Sequence, residues 1–129
     1  MIKKQPVRKR PKNLNLFTIR IPVNAVVSIL HRASGVLLFL VLPVLLWCWQ
    51  VSLTNEMGYW HMEVLLQHWF SKLLMIGLAW AFFHHFFAGL RHLGMDVHLA
   101  TSLQKARVSS RLVLIAAVTC TMIFAIWVW

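Results

Sequence analysis

Nineteen consecutive residues, Ala33 to Val51 (ASGVLLFLVLPVLLWCWQV), carry no formal charge, and a run of about that length is what the roughly 30 Å hydrocarbon core of a bilayer requires of a helix. Two further stretches are long and apolar enough to do the same, Ser71 to Leu90 and Leu112 to Trp129. The segment ahead of the first run, Ile21 to Arg32, is also largely apolar but holds Asn24, Ser28, His31 and Arg32. The first helix is therefore expected to continue through the headgroup layer, with Pro22 in its first turn. Composition closes off the alternative. At 129 residues the chain is 60% apolar and only 12% charged, too few polar side chains to cover the surface of one soluble domain. The reading is an all-α membrane protein with a basic segment over 1–20 and a single three-helix domain over 21–129, its spans at about 21–51, 71–92 and 112–129. No internal repeat is present. No cleaved signal peptide is expected, because more than twenty residues, Pro6, Pro11 and Pro22 among them, precede the first apolar run.

Charge then sets a direction. Thirteen Lys and Arg against three Asp and Glu leave a net charge of +10, and seven of the thirteen lie in residues 1–20. They form no stripe along the chain of the kind a nucleic-acid binder would use. The first loop, 52–70, contains no Lys or Arg and carries Glu56 and Glu63, whereas Arg91, Lys105, Arg107 and Arg111 flank the second. The bias of Lys and Arg toward the cytoplasmic side predicts a cytoplasmic N-terminus and a periplasmic C-terminus. Trp47, Trp49, Trp60, Trp69, Trp127 and Trp129 all fall near the expected outer ends, where aromatic belts form. Trp80 lies mid-span and reads as packing or lipid-facing bulk. Cys48 and Cys120 sit singly in apolar runs and read as small apolar residues.

Ionisable groups within spans are costly and mark functional sites. In the second span His84 and His85 are adjacent, about 100° apart on a helix, so only one of them faces a given neighbour, whereas His85 and His92 share a face. Gly89, one turn from His85, leaves room for a flat macrocycle. In the first helix Ser28 and Arg32 are one turn apart, His31 beside them and Gly35 one turn beyond His31. The two helices run in opposite directions, so Arg91, His92 and Asp96 are expected to meet Ser28, His31 and Arg32 at one depth. His85 lies about 9 Å deeper than Arg91 at 1.5 Å per residue. Haem b needs imidazole for its iron and cations for its propionates. A quinone needs hydrogen-bond donors and a proton route. With His85 alone at mid-helix depth, a six-coordinate haem takes its second imidazole from another subunit. Other readings stay open: the histidines pack and the chain is a cofactor-free anchor, the arginines snorkel to the interface, or His85, Arg91 and Asp96 form a proton relay, though the outer halves of the spans offer such a relay no ionisable path. His61, His68 and His98 read as interfacial.

The stretch Arg10-Pro11, then Ser28-Ile29-Leu30-His31-Arg32-Ala33-Ser34-Gly35, and later His85-Phe86-Phe87-Ala88-Gly89-Leu90-Arg91-His92-Leu93-Gly94-Met95-Asp96, resemble the signatures S-x-x-H-R-x-S-G and H-x-x-x-G-x-R-H-x-x-x-D of the succinate dehydrogenase cytochrome b subunit, and the resemblance runs from about Arg10 to the end. It implies a bacterial inner-membrane protein, one of two anchors that pack as a helical bundle and hold an iron–sulfur subunit and a flavoprotein subunit. It implies His85 as the haem iron ligand, with His31 and Arg32 toward the propionates. Ser28 and Arg32 would serve ubiquinone, and the partner anchor would supply the second axial histidine. The chain would then have no complete active site of its own, and succinate would not touch it. A related fumarate reductase anchor is the neighbouring possibility.

Overall fold

A computed structural model describes residues 20–99 and 102–129, and in that range every regular element is a helix: α1 (Val23–Thr54), α2 (Glu56–Gln67), α3 (Trp69–Asp96) and α4 (Leu103–Val128). The basic segment expected over 1–20 lies outside the described residues apart from Arg20. Helices α1, α3 and α4 are each long and apolar enough to cross a membrane. At 32 residues α1 is about 48 Å long, more than a hydrocarbon core of roughly 30 Å requires, so it is long enough for its polar first turns to extend beyond that core. It runs through Pro43 without a break, although proline removes one backbone donor there.

Local chemistry explains the ends. The Pro22 carbonyl accepts from the amides of Ala25 and Val26, which starts α1. Ser52 and Thr54 return their hydroxyls to the carbonyls of Trp49, Gln50 and Val51 in its last turns. The extended residue Asn55 then caps α2, its side-chain oxygen accepting from the Gly58 amide at 2.7 Å. The segment read as the first loop, 52–70, is thus mostly helical. Its α2 buries no residue, and Met57, Trp60 and Val64 are among its exposed apolar side chains. At the other end α3 closes in a Schellman turn, with the His98 amide on the Met95 carbonyl and the Leu99 amide on the Gly94 carbonyl. His98 takes the left-handed position of that turn at φ 63°. Ser102 caps α4 through the Lys105 amide, so this helix begins at Leu103, ahead of the apolar run from Leu112, and carries Lys105, Arg107 and Arg111 within its first turns.

Helix α3 is central and packs against both α1 and α4. Apart from His84, the buried side chains are small: Ala81 and Ala88 from α3, Ser110, Val113, Ala117 and Thr121 from α4, and Val27 and Ser34 from α1. Lipid tails are as apolar as any side chain, so membrane helices gain by close backbone approach across small residues rather than by burying grease. The buried hydroxyls are satisfied within their own helices, Ser110 on the Ala106 carbonyl and Thr121 on the Ala117 carbonyl. Large apolar residues point outward, Phe39 and Ile126 among them. The six tryptophans expected near the outer ends are all exposed, and the Lys72 ammonium lies 5.6 Å from the centre of the Trp129 ring. Lys72 is a cation at the end that the charge count otherwise leaves without one.

Candidate functional site

Positions 28, 31, 32 and 35 follow one another along one face of α1, and positions 85 and 92 lie along one face of α3. Where the two helices meet, three imidazoles form a row. The His31 ring stacks on His85 at 4.3 Å between centroids and 13° between planes. Its other neighbour is His92 at 5.1 Å, tilted by 45°. His85 Nδ1 lies 3.0 Å from the His31 carbonyl oxygen. A carbonyl only accepts, so Nδ1 carries the ring proton and donates it, which leaves Nε2 with its unshared pair. The Ser34 hydroxyl donates to the same carbonyl at 2.9 Å and stands 3.4 Å from His85 Nδ1. Gly35 makes the approach possible, since a Cβ there would come within 2.8 Å of His85 Cε1. The close-approach glycine expected on α3, Gly89, has only His31 Nε2 nearby, at 3.6 Å from a notional Cβ. Gly35, on the opposite helix, is the glycine the His85 ring presses against, while the space beside Gly89 otherwise stays open.

His84 behaves differently from its neighbour. It is fully buried, stacks on Trp80 at 5.3 Å and 18°, and places Nε2 3.4 Å from the Val27 carbonyl. Here Nε2 must carry the proton, and Nδ1 is buried without a partner. The adjacent histidines are therefore held in opposite tautomers, one locked into the helix interface and the other with a metal-binding nitrogen to offer. Trp80, read as packing or lipid-facing, is the platform beneath His84.

The two polar groups expected at one depth converge in part. His31 and His92 meet. Arg91 turns instead to α4, its Nε donating to Ser109 Oγ at 3.0 Å and its Nη2 to the Ala106 carbonyl at 3.5 Å. Ser28 is half-buried, Arg32 exposed, and Asp96 exposed in the last turn of α3. His61, His68 and His98 are exposed as well, and His68 is spent on the first turn of α3, where its Nδ1 accepts from the Phe70 amide. Cys48 and Cys120 are free and half-buried. Among the described residues no three His, Cys, Asp or Glu side chains come together as a metal site. The His31 carbonyl and Ser34 escaped sequence reasoning as orienting groups; the adjacent Ser34-Gly35 pair was the available signal.

Comparison with known proteins gives a consistent result. Residues 6–124 match the family described as succinate dehydrogenase/fumarate reductase transmembrane subunit. The chain is similar to the succinate dehydrogenase cytochrome b556 subunit of Coxiella burnetii, 33% identical over 123 residues that cover 94% of this chain and 98% of the relative. The protein of the same name from Rickettsia felis is 26% identical over 126 residues, covering 98% and 97%. That from Paracoccus denitrificans is 27% identical over 109 residues, covering 84% of each.

Proposed function

Because the chain belongs to the succinate dehydrogenase/fumarate reductase transmembrane subunit family, we propose that it is a cytochrome b anchor of succinate dehydrogenase in a bacterial inner membrane. In this reading it binds haem b jointly with a second anchor subunit and forms part of the site where ubiquinone is reduced by electrons from succinate. The observation that carries the proposal is the His85 imidazole, with Nδ1–H held by the His31 carbonyl and Nε2 unshared. A carbonyl that accepts from the far ring nitrogen fixes the tautomer and orientation of a metal-ligating histidine and raises its basicity. The donor set fits haem b: one neutral imidazole for the iron, with His31 and Arg32 as hydrogen-bond and charge partners for the propionates. A second imidazole for the iron would come from the partner anchor. Haem b supplies a one-electron carrier when bound.

Ser28 and Arg32 stand one turn apart at the same end of α1 and are the ubiquinone groups of the proposal. The Arg32 guanidinium and the Ser28 hydroxyl hydrogen-bond a quinone carbonyl oxygen and stabilise negative charge as it develops there. The exposure of Arg32 leaves water within reach for proton delivery. With the N-terminus cytoplasmic and the C-terminus periplasmic, this end faces the cytoplasm, where the iron–sulfur and flavoprotein subunits dock against the basic segment. The chain alone has no complete active site.

The test is a pair of substitutions in the assembled complex. His85→Ala is expected to abolish the reduced-minus-oxidised haem b absorbance, whereas His84→Ala retains it with lowered stability. The opposite pattern would assign the ligand to His84, and a complex that never shows the band would make the chain a cofactor-free anchor. Ser28→Ala is expected to lower succinate–quinone reductase turnover at least tenfold, the scale of losing one positioned donor, with the haem band intact.

A further inference from the structure

Arg91 is the cation that the histidine row does not use. Its two hydrogen bonds go to α4, and one of them, to the Ala106 carbonyl, is shared with the hydroxyls of Ser109 and Ser110. A guanidinium has five N–H donors, so most of its capacity is directed elsewhere. A half-buried charge against an apolar wall is costly unless an opposite charge is close. Beside Arg91 a crevice of about 290 Å³ opens between α3 and α4, walled by Phe87, Leu99, Leu112, Val113 and Ala116. A second hollow of about 470 Å³ shares Ser109 and Leu112 with it and reaches Ser102, Gln104 and Lys105. The two hollows adjoin at Ser109 and Leu112 on α4.

Neither set of lining residues contains a carboxylate. The three acids of the chain lie elsewhere: Glu56 and Glu63 in α2, at the opposite end of the bundle, and Asp96 exposed in the last turn of α3. The counter-charge for Arg91 therefore comes from outside this chain. The adjoining hollows ask for two chemistries in one molecule, an anion at the Arg91 and Lys105 end and an apolar tail along Phe87, Leu112 and Ala116. We infer that the α3–α4 crevice and the hollow beside it bind an anionic glycerophospholipid. Its phosphate sits at Arg91 and Lys105, with Ser102 and Gln104 as further donors and one acyl chain lying along the apolar floor. Arg107 and Arg111 add to the positive field of the rim. A carboxylate from a neighbouring subunit would satisfy Arg91 but has no use for the apolar floor.

The experiment takes the assembly extracted from membranes in mild detergent and offers it mixed micelles containing phosphatidylglycerol or phosphatidylcholine, with retained lipid counted by native mass spectrometry. Wild type is expected to hold phosphatidylglycerol in preference. Lys105→Gln, at an exposed position, should weaken that retention about fivefold, the weight of one cation near an anionic headgroup. Leu112→Trp should displace the lipid by filling the floor with every cation in place. Equal retention of the two lipids, or unchanged retention in both variants, overturns the inference. So does an Arg91→Gln variant that sheds a neighbouring subunit while keeping its phosphatidylglycerol, because the counter-ion is then that subunit's carboxylate.

Discussion

Gly35 is the position where one added carbon would change most. The His85 ring fills the space above it, and that ring is tied by Nδ1 to the His31 carbonyl, so neither partner has room to retreat. Gly35→Ala is expected to turn the imidazole out of place, removing the haem b band from an assembled complex and costing about 1–3 kcal/mol of stability. Gly77→Ala is the control, because no atom lies within 4 Å of a Cβ there; haem content should stay at the wild-type value. Reduced-minus-oxidised spectra and thermal melts of the two variants together check both expectations. The contrast also marks what a sequence can say about single residues. The spacing of His85 and His92 puts them on one face of α3, and that much is legible from helix geometry. The rotation of α1 against α3 is fixed only by packing between distant segments, so the sequence hides which glycine receives the ring and that Arg91 turns toward α4.

At the scale of elements, the three long helices were legible because uncharged runs of span length have few other uses. Helix α2 was not. Its twelve residues contain Glu56, Gly58, His61 and Glu63, a mixture that reads as an outer loop when the eye is set for spans. The sign that was there is Asn55 followed by Glu56, a capping residue and an acid at the start of a helix. Gly58 then makes the corner possible, since a Cβ would collide with the Val51 carbonyl at the end of α1. Gly58→Ala is accordingly expected to splay α2 from α1 at a cost of about 1–3 kcal/mol. Faster proteolysis or hydrogen exchange over residues 55–68, with haem content unchanged, is the measurement that separates this corner from the histidine row at the other end of α1.

For the molecule as a whole, the proposed topology puts 1–20 and 97–111 on the cytoplasmic side, a reading that rests on the charge bias and the tryptophan ends. A reporter active only outside the cytoplasm is expected to work when fused after Trp129 and to fail when fused after Arg111, and the reverse pattern would invert the proposed topology. Lys72 does not disturb the expectation, being one cation near the outer end with its ammonium over the Trp129 ring. The buried set has a further consequence. Of the five buried apolar residues among those described, three are alanines, Ala81, Ala88 and Ala117. The closest approaches are made at Gly35 and Gly58, and the group that orients His85 is a main-chain oxygen. A mutational scan that trims each side chain to alanine has almost nothing to remove at these points, and would portray a tolerant protein whose vital residues are a few histidines. A scan that adds carbon, to leucine or phenylalanine at every small residue, would trace the helix contacts one by one.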